Sequence, residues 1–260
     1  MTRNAHSFSG TRLGFVLWLA GMVGAASFLP VFPRLLAILG GENPPIPMYA
    51  IQAISFAQTG GFLALAVALG VFLARRVGLS APAAEALVSR RRSWGELRPQ
   101  ILPGITGGIA GGLAIVFFSS IMLPYLPPEF VAAAKKLTLP LTTRLLYGGI
   151  SEEILLRWGL MTLLVWLPFR FLRKGQGEVP VGYYWAAIII SAVVFGLGHL
   201  PVASLLSPAV TPALVTYVVV ANALFGLIAG YLYWRRGLES AMVAHMVTHV
   251  VMVAAESLTA

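Results

Sequence analysis

The chain has 260 residues, 58% of them hydrophobic and 10% charged, with a mean hydropathy of +0.84. So much apolar surface excludes a soluble domain, and a net charge of +9 carried in short clusters between apolar runs orients membrane helices rather than forming a nucleic-acid-binding face. Cysteine is absent and all nine acidic residues are glutamates, which excludes disulfides, thiol nucleophiles, thiolate metal ligands and aspartyl dyads.

The expected fold class is all-α: a polytopic transmembrane bundle of about seven helices, with eight as the alternative. A span needs about 20 apolar residues. Segments of that kind run from Leu13 to Leu29, Met48 to Leu73, Ile101 to Leu123, Leu141 to Leu167, Val181 to Leu200, Ala209 to Trp234 and Leu238 to Val253. The first follows Arg3 and Arg12 and reads as a spanning helix, because no small-x-small cleavage signal leads into a soluble domain. Prolines at 44, 45 and 47 mark a turn after it. Residues 80–98 alternate charged side chains with Leu87, Val88, Trp94 and Leu97, the pattern of an interfacial amphipathic helix and basic loop. A short piece from Pro127 to Leu139, with Glu129, Lys135 and Lys136, falls on the opposite surface. Residues 1–140 thus supply N-terminal membrane helices and residues 141–260 a helical core, within one integral membrane domain. With the N-terminus inside, 13 of the 18 Lys and Arg lie on the cytoplasmic side, which places the N-terminus there.

The fourth span carries Glu152, Glu153 and Arg157. Each ionisable group at membrane depth costs on the order of 2.5 to 3.5 kcal/mol unless it is paired or faces a cavity. On an α-helix Glu153 and Arg157 are i and i+4, and neutralise each other. Glu152 then points about 100° away and needs a proton, a metal or a partner from another helix. Three histidines lie in C-terminal spans: His199, and the i, i+4 pair His245 and His249. His6 belongs to the N-terminal tail and is set aside. His245 and His249 share a face, as two ligands of one metal would. Phe195, four residues before His199, stacks beside its imidazole, while Gly148, Gly149, Gly159, Gly196 and Gly198 let helices approach. Asn222 and Gln58 read as interhelical hydrogen-bonding residues. Ser151 lacks the glycine that follows the nucleophile of intramembrane serine proteases and reads as bonded to its own helix backbone. At a uniform 1.5 Å per residue, His199 falls near the outer end of its span and His245 nearer the inner end. Bringing them together requires an early start of the fifth helix at 179–184 or re-entry near Pro201.

The motifs Glu-Glu-x-x-x-Arg (Glu152, Glu153, Arg157), Phe-x-x-x-His (Phe195, His199) and the histidine at His245 resemble, in order and spacing, the CAAX protease and bacteriocin-processing family of intramembrane proteases. The resemblance covers the chain from about Leu141 onward. It implies a membrane peptidase in which Glu152 matches the general base acting on water. His199 and His245 match the two histidines of the cavity, and Glu153 and Arg157 the remaining positions of the first motif. The family usually has Asn or Asp four residues after the third-motif histidine; here His249 stands there.

The implied catalytic set is therefore Glu152, His199, His245 and His249, with Glu153, Arg157 and Phe195 in structural or secondary catalytic roles. The same four leave two versions open: Zn²⁺ bound by Glu152, His199, His245 and His249, or a metal-independent site in which the histidines donate directly to an oxyanion. The implied partners are a peptide or protein substrate at the membrane, with or without a lipid group, and the lipid bilayer; nucleic acid is not among them. The competing class is a non-proteolytic transporter or scaffold using the buried Glu, Arg and His groups as a relay. Against a transporter stands the absence of repeat symmetry between the halves.

Overall fold

A computed structural model describes residues 9–38 and 46–258, and no strand occurs among them. His6 and most of the proline-rich turn at 42–47 lie outside these residues. Seven helices are long and apolar enough to cross a membrane: α1 (Gly10–Ile38), α2 (Met48–Val77), α3 (Ser93–Tyr125), α4 (Leu141–Leu172), α5 (Val181–Leu205), α6 (Pro212–Arg236) and α7 (Leu238–Leu258). Large apolar side chains such as Phe72 (68% exposed), Leu102 (69%) and Phe117 (68%) cover the outside of the bundle, where only lipid can accommodate them. The protein is an integral, multi-pass membrane protein of the all-α class.

Proline sets several helix starts, since it lacks the N–H that a first turn leaves unbonded. Pro47, Pro140 and Pro180 immediately precede α2, α4 and α5, and Pro212 is the first residue of α6. Thr211 adds a side-chain cap, its hydroxyl accepting from the Leu214 N–H at 3.2 Å. The segment expected as an interfacial amphipathic helix and basic loop over 80–98 is shorter than that. Pro82–Val88 is a short helix, the chain turns at Ser89–Arg92, and Ser93 already begins α3, which continues through Pro99 and Pro103. The charged residues 96 and 98 are thus the first turns of a span. Pro128–Lys136 forms a separate short helix.

In lipid there is no hydrophobic gain from helix association, so close packing at small residues must supply it. The principal case is α3 against α7. Gly104, Gly108 and Gly112, one every four residues, receive Val243, Val247 and Val251 at the same spacing. The Thr248 hydroxyl donates to Gly108 O (3.0 Å), and the Ser240 hydroxyl and N–H bond to Gln100 O and Oε1 (3.2 and 3.0 Å). On the other side of α6, Gly226 meets Ala192 and Gly230 meets Ile188 of α5. Of the glycines singled out from sequence, Gly148, Gly149, Gly159 and Gly196 each face a neighbouring helix, whereas Gly198 faces open space. The polar residues also differ from expectation. The Asn222 amide donates to Val218 O of its own helix, and Gln58 is exposed; Gln52, by its bond to Leu29 O, is the residue that joins α1 to α2. Ser151 donates across to Gly21 O of α1 at 2.7 Å, not to its own helix.

The two ends of the bundle are tied separately. At one end Leu238 N–H bonds to Ser80 O, the Tyr184 hydroxyl to Val77 O, and Ala84 N–H to Glu239 Oε1. This end collects Arg75, Arg76, Arg90, Arg91, Arg92, Arg98, Arg173, Lys174, Arg235 and Arg236. At the other end the Thr143 hydroxyl bonds to Ser27 O, and Arg144 at the start of α4 forms a bidentate pair with Glu256 at the end of α7 (2.9 and 3.0 Å).

Candidate active site

Helix α4 does not have α-helical winding where its charges lie. It is π-helical over Arg144–Glu152 and Ile154–Met161, with α-helix at Leu141–Thr143, at Glu153 and over Thr162–Leu172. Such i→i+5 turns are rare and concentrate at functional sites. A wider turn holds more residues, so successive side chains diverge by less than the 100° of an α-helix. Glu152 and Glu153 can therefore both face α7, where the α-helical expectation turned Glu152 away from its neighbour.

The buried charges form one connected set. Glu153 Oε2 lies 3.3 Å from Arg157 Nε, and both side chains are completely buried. Arg157 also donates to Gly226 O of α6 at 3.1 Å, and its guanidinium packs against the rings of Phe195 (5.3 Å) and Phe225 (5.7 Å). The other oxygen of Glu153 accepts from His245 Nδ1 at 2.7 Å. Glu153 is thus more than Arg157's counter-ion: it crosses to α7 and fixes the imidazole. A carboxylate can only accept, so Nδ1 carries a proton and Nε2 is the nitrogen presented to the site. That nitrogen faces Glu152 Oε2 at 3.8 Å, and the Glu152 side chain is 17% exposed.

His249 lies one turn further along α7, its ring stacked on that of His245 (4.9 Å, 21°). Gly148 of α4 lies under both: a methyl group there would lie 2.6 Å from His249 Nε2 and 3.3 Å from His245 Nε2. His199 joins the set through aromatic rings. Its Nδ1 donates to Phe195 O (2.9 Å), since a carbonyl can only accept, which leaves Nε2 free. The Phe195 ring is edge-on to both His199 (4.8 Å) and His245 (5.9 Å). Among the described residues His199 forms no ion pair with Glu152 or Glu153. The offset expected between His199 and His245 is spanned by Phe195, without re-entry near Pro201, which lies inside continuous α5.

A family model described as "Type II CAAX prenyl endopeptidase Rce1-like" matches residues 134–251. Over these residues the chain is similar to that family. The family so described is one of prenyl endopeptidases. Comparison with curated proteins and with solved structures returned no match.

The Rce1-like segment contains every residue of the set just described. As for a metal, the donors do not fit one in this arrangement. Among the described residues no three His or Glu side chains form a group that could hold an ion, so Glu152, His199, His245 and His249 do not converge as ligands. The near-parallel rings of His245 and His249 direct their nitrogens side by side, and Glu153 occupies His245 Nδ1. No chemical step is therefore routed through a metal.

Three contributors escaped the sequence reading. Phe225 packs on His245 at 4.3 Å, Gly226 offers Arg157 its carbonyl, and Arg144 with Glu256 clamps the π-helical segment to α7. A signal existed for Gly226, which with Gly230 makes a Gly-x-x-x-Gly motif that marks a helix-packing face. For Phe225, one aromatic among many in apolar helices, there was none.

Proposed function

We propose that this chain is an intramembrane endopeptidase in which Glu152 activates a water against the scissile carbonyl. The observation that carries this reading is the opposed pair Glu152 and His245 Nε2. Their 3.8 Å separation is longer than a hydrogen bond and lets one water lying beside the pair reach both atoms, while Glu153 holds the far side of the imidazole.

In the proposed step Glu152 takes a proton from the water as the water oxygen bonds to the carbonyl carbon. The carbonyl oxygen becomes an oxyanion, which accepts from His245 Nε2–H and from His249. The C–N bond then breaks, its electron pair leaves with the nitrogen, and Glu152 returns the proton to the departing amine. His199, held by Phe195 O and packed on the Phe195 ring, borders the same site. Phe195 and Phe225 exclude bulk solvent from around the imidazoles.

For the substrate, the family's description makes a prenylated CAAX peptide the first choice, with the basic end of the bundle and the N-terminus in the cytoplasm. The test is incubation of reconstituted protein with matched prenylated and unprenylated peptides. Release of the residues beyond the modified cysteine, from the prenylated peptide alone, is the expected result. Cleavage of neither peptide would count against this substrate.

Two further outcomes follow from the geometry. Gly148→Ala is expected to leave the bundle folded, because alanine favours a helix. It moves both Nε2 atoms, and a displacement of about 1 Å can lower turnover by about a hundredfold. An unchanged rate in Gly148→Ala would show that the nitrogens beside it take no part. His249→Asn is expected to stay within about tenfold of wild type, since an amide also donates to an oxyanion, and wild type is expected to work in the presence of a chelator. Stoichiometric zinc that disappears together with activity in His249→Asn would overturn the metal-free arrangement.

A further inference from the structure

A groove of about 720 Å³ opens between α3, α5 and α6 at the basic end of the bundle. Its walls are Pro103 and Gly107 of α3, Trp185 of α5, and Leu227 and Tyr231 of α6. Arg235 and Arg236, the last two residues of α6, close one end. Both arginines are exposed and neither forms an ion pair among the described residues. Leu227, Tyr231 and Trp185 are 37%, 44% and 43% exposed, so the groove faces the lipid rather than the bundle interior.

Four aromatic residues fix its depth. Tyr184 stacks on Trp234 (4.7 Å), Trp185 on Tyr231 (6.0 Å), and Trp234 meets both Trp185 and Tyr231 edge-on (6.1 and 6.2 Å). Tyr and Trp gather at the level of lipid headgroups. The guanidiniums therefore lie at headgroup level and the apolar floor below them at acyl-chain level. From Leu227 to Arg235 is eight residues, about 12 Å of helix, the shape of a slot for one charged head with a hydrocarbon chain beneath it. The bland reading is that the arginines only complement the negative end of the α6 dipole and orient the helix. That reading leaves the adjoining groove, with its aromatic rim, without a role.

We propose that this groove binds one anionic phospholipid of the surrounding leaflet, its phosphate held by Arg235 and Arg236 and one acyl chain lying along Leu227 and Leu232. Basic pockets between membrane helices recognise anionic headgroups by the same chemistry. The site is independent of the peptidase reading and stands whether or not the chain cleaves peptides.

The test is native mass spectrometry of the full chain released from bilayers of equimolar phosphatidylglycerol and phosphatidylcholine. Wild type is expected to retain one phosphatidylglycerol per chain, preferred by roughly tenfold or more over phosphatidylcholine. The double variant Arg235→Gln/Arg236→Gln is expected to lose that preference, whereas Arg170→Gln/Arg173→Gln, at the same end of the bundle, keeps it. Thr106→Phe, which fills the groove from α3 without touching a charge, is expected to reduce retention of both lipids. Equal retention of the two lipids by wild type would overturn the proposal. So would equal loss in the two arginine double variants, which would make the preference a property of the whole basic end, or unaltered retention in Thr106→Phe.

Discussion

Glu152→Gln is expected to lower peptide cleavage by about 10² to 10⁴-fold, the range a positioned general base contributes, with the bundle still folded. The structure separates these two effects. The Glu152 side chain is partly exposed and its nearest charged contact, His245 Nε2, is 3.8 Å away, so no short hydrogen bond is lost when the carboxylate becomes an amide. The amide occupies the same space but cannot take a proton from water. The same change at Glu153 acts on two short contacts, His245 Nδ1 at 2.7 Å and Arg157 Nε at 3.3 Å. It therefore frees the His245 ring and unbalances a completely buried charge at once. Adjacent glutamates are thus expected to give different phenotypes: rate alone at Glu152, rate and stability together at Glu153. Cleavage by purified variants, alongside their thermal unfolding in detergent, distinguishes them. Cleavage that survives Glu152→Gln would show that another group activates the water.

Arg157→Met is expected to destabilise the fold by about 3 to 5 kcal/mol, the cost of leaving a buried charge without its partner. Arg157 is completely buried, bonded to Gly226 O, and flanked by Phe195 and Phe225. It therefore joins α4, α5 and α6 at the level of the site. Methionine keeps much of the volume and the packing on the rings, but Glu153 is left with one partner. Adding Glu153→Gln to Arg157→Met removes the stranded charge, so the double variant is expected to recover part of the loss, a non-additivity that a double-mutant cycle reads directly. A well-folded, inactive Arg157→Met would instead assign the guanidinium to the chemistry.

Much of this framework is legible in the chain. The starts of α2, α4, α5 and α7 at Met48, Leu141, Val181 and Leu238 agree with the apolar runs, because proline or a charged cluster interrupts hydropathy where the helix begins. The Glu153–Arg157 pair and the shared face of His245 and His249 follow from four-residue spacing. Three things do not follow from spacing. The π-helical winding of α4 around both glutamates is announced by no residue type. The second partner of Glu153 lies 92 residues away, and the choice between His199 and His245 is made by how α7 registers on the glycines of α3. The charged start of α3 resembled an interfacial helix because a span that ends at the headgroups carries the same mixture of arginine and apolar residues.

The central claim, that the Glu152 and His245 arrangement hydrolyses peptide bonds, is tested most directly by incubating reconstituted wild type with a prenylated CAAX peptide in H₂¹⁸O. A new peptide carboxylate carrying one ¹⁸O atom is expected with wild type and not with Glu152→Gln. Proton-coupled flux across the same proteoliposomes, with no cleaved peptide from any substrate offered, would contradict it and assign the buried Glu, Arg and His groups to transport.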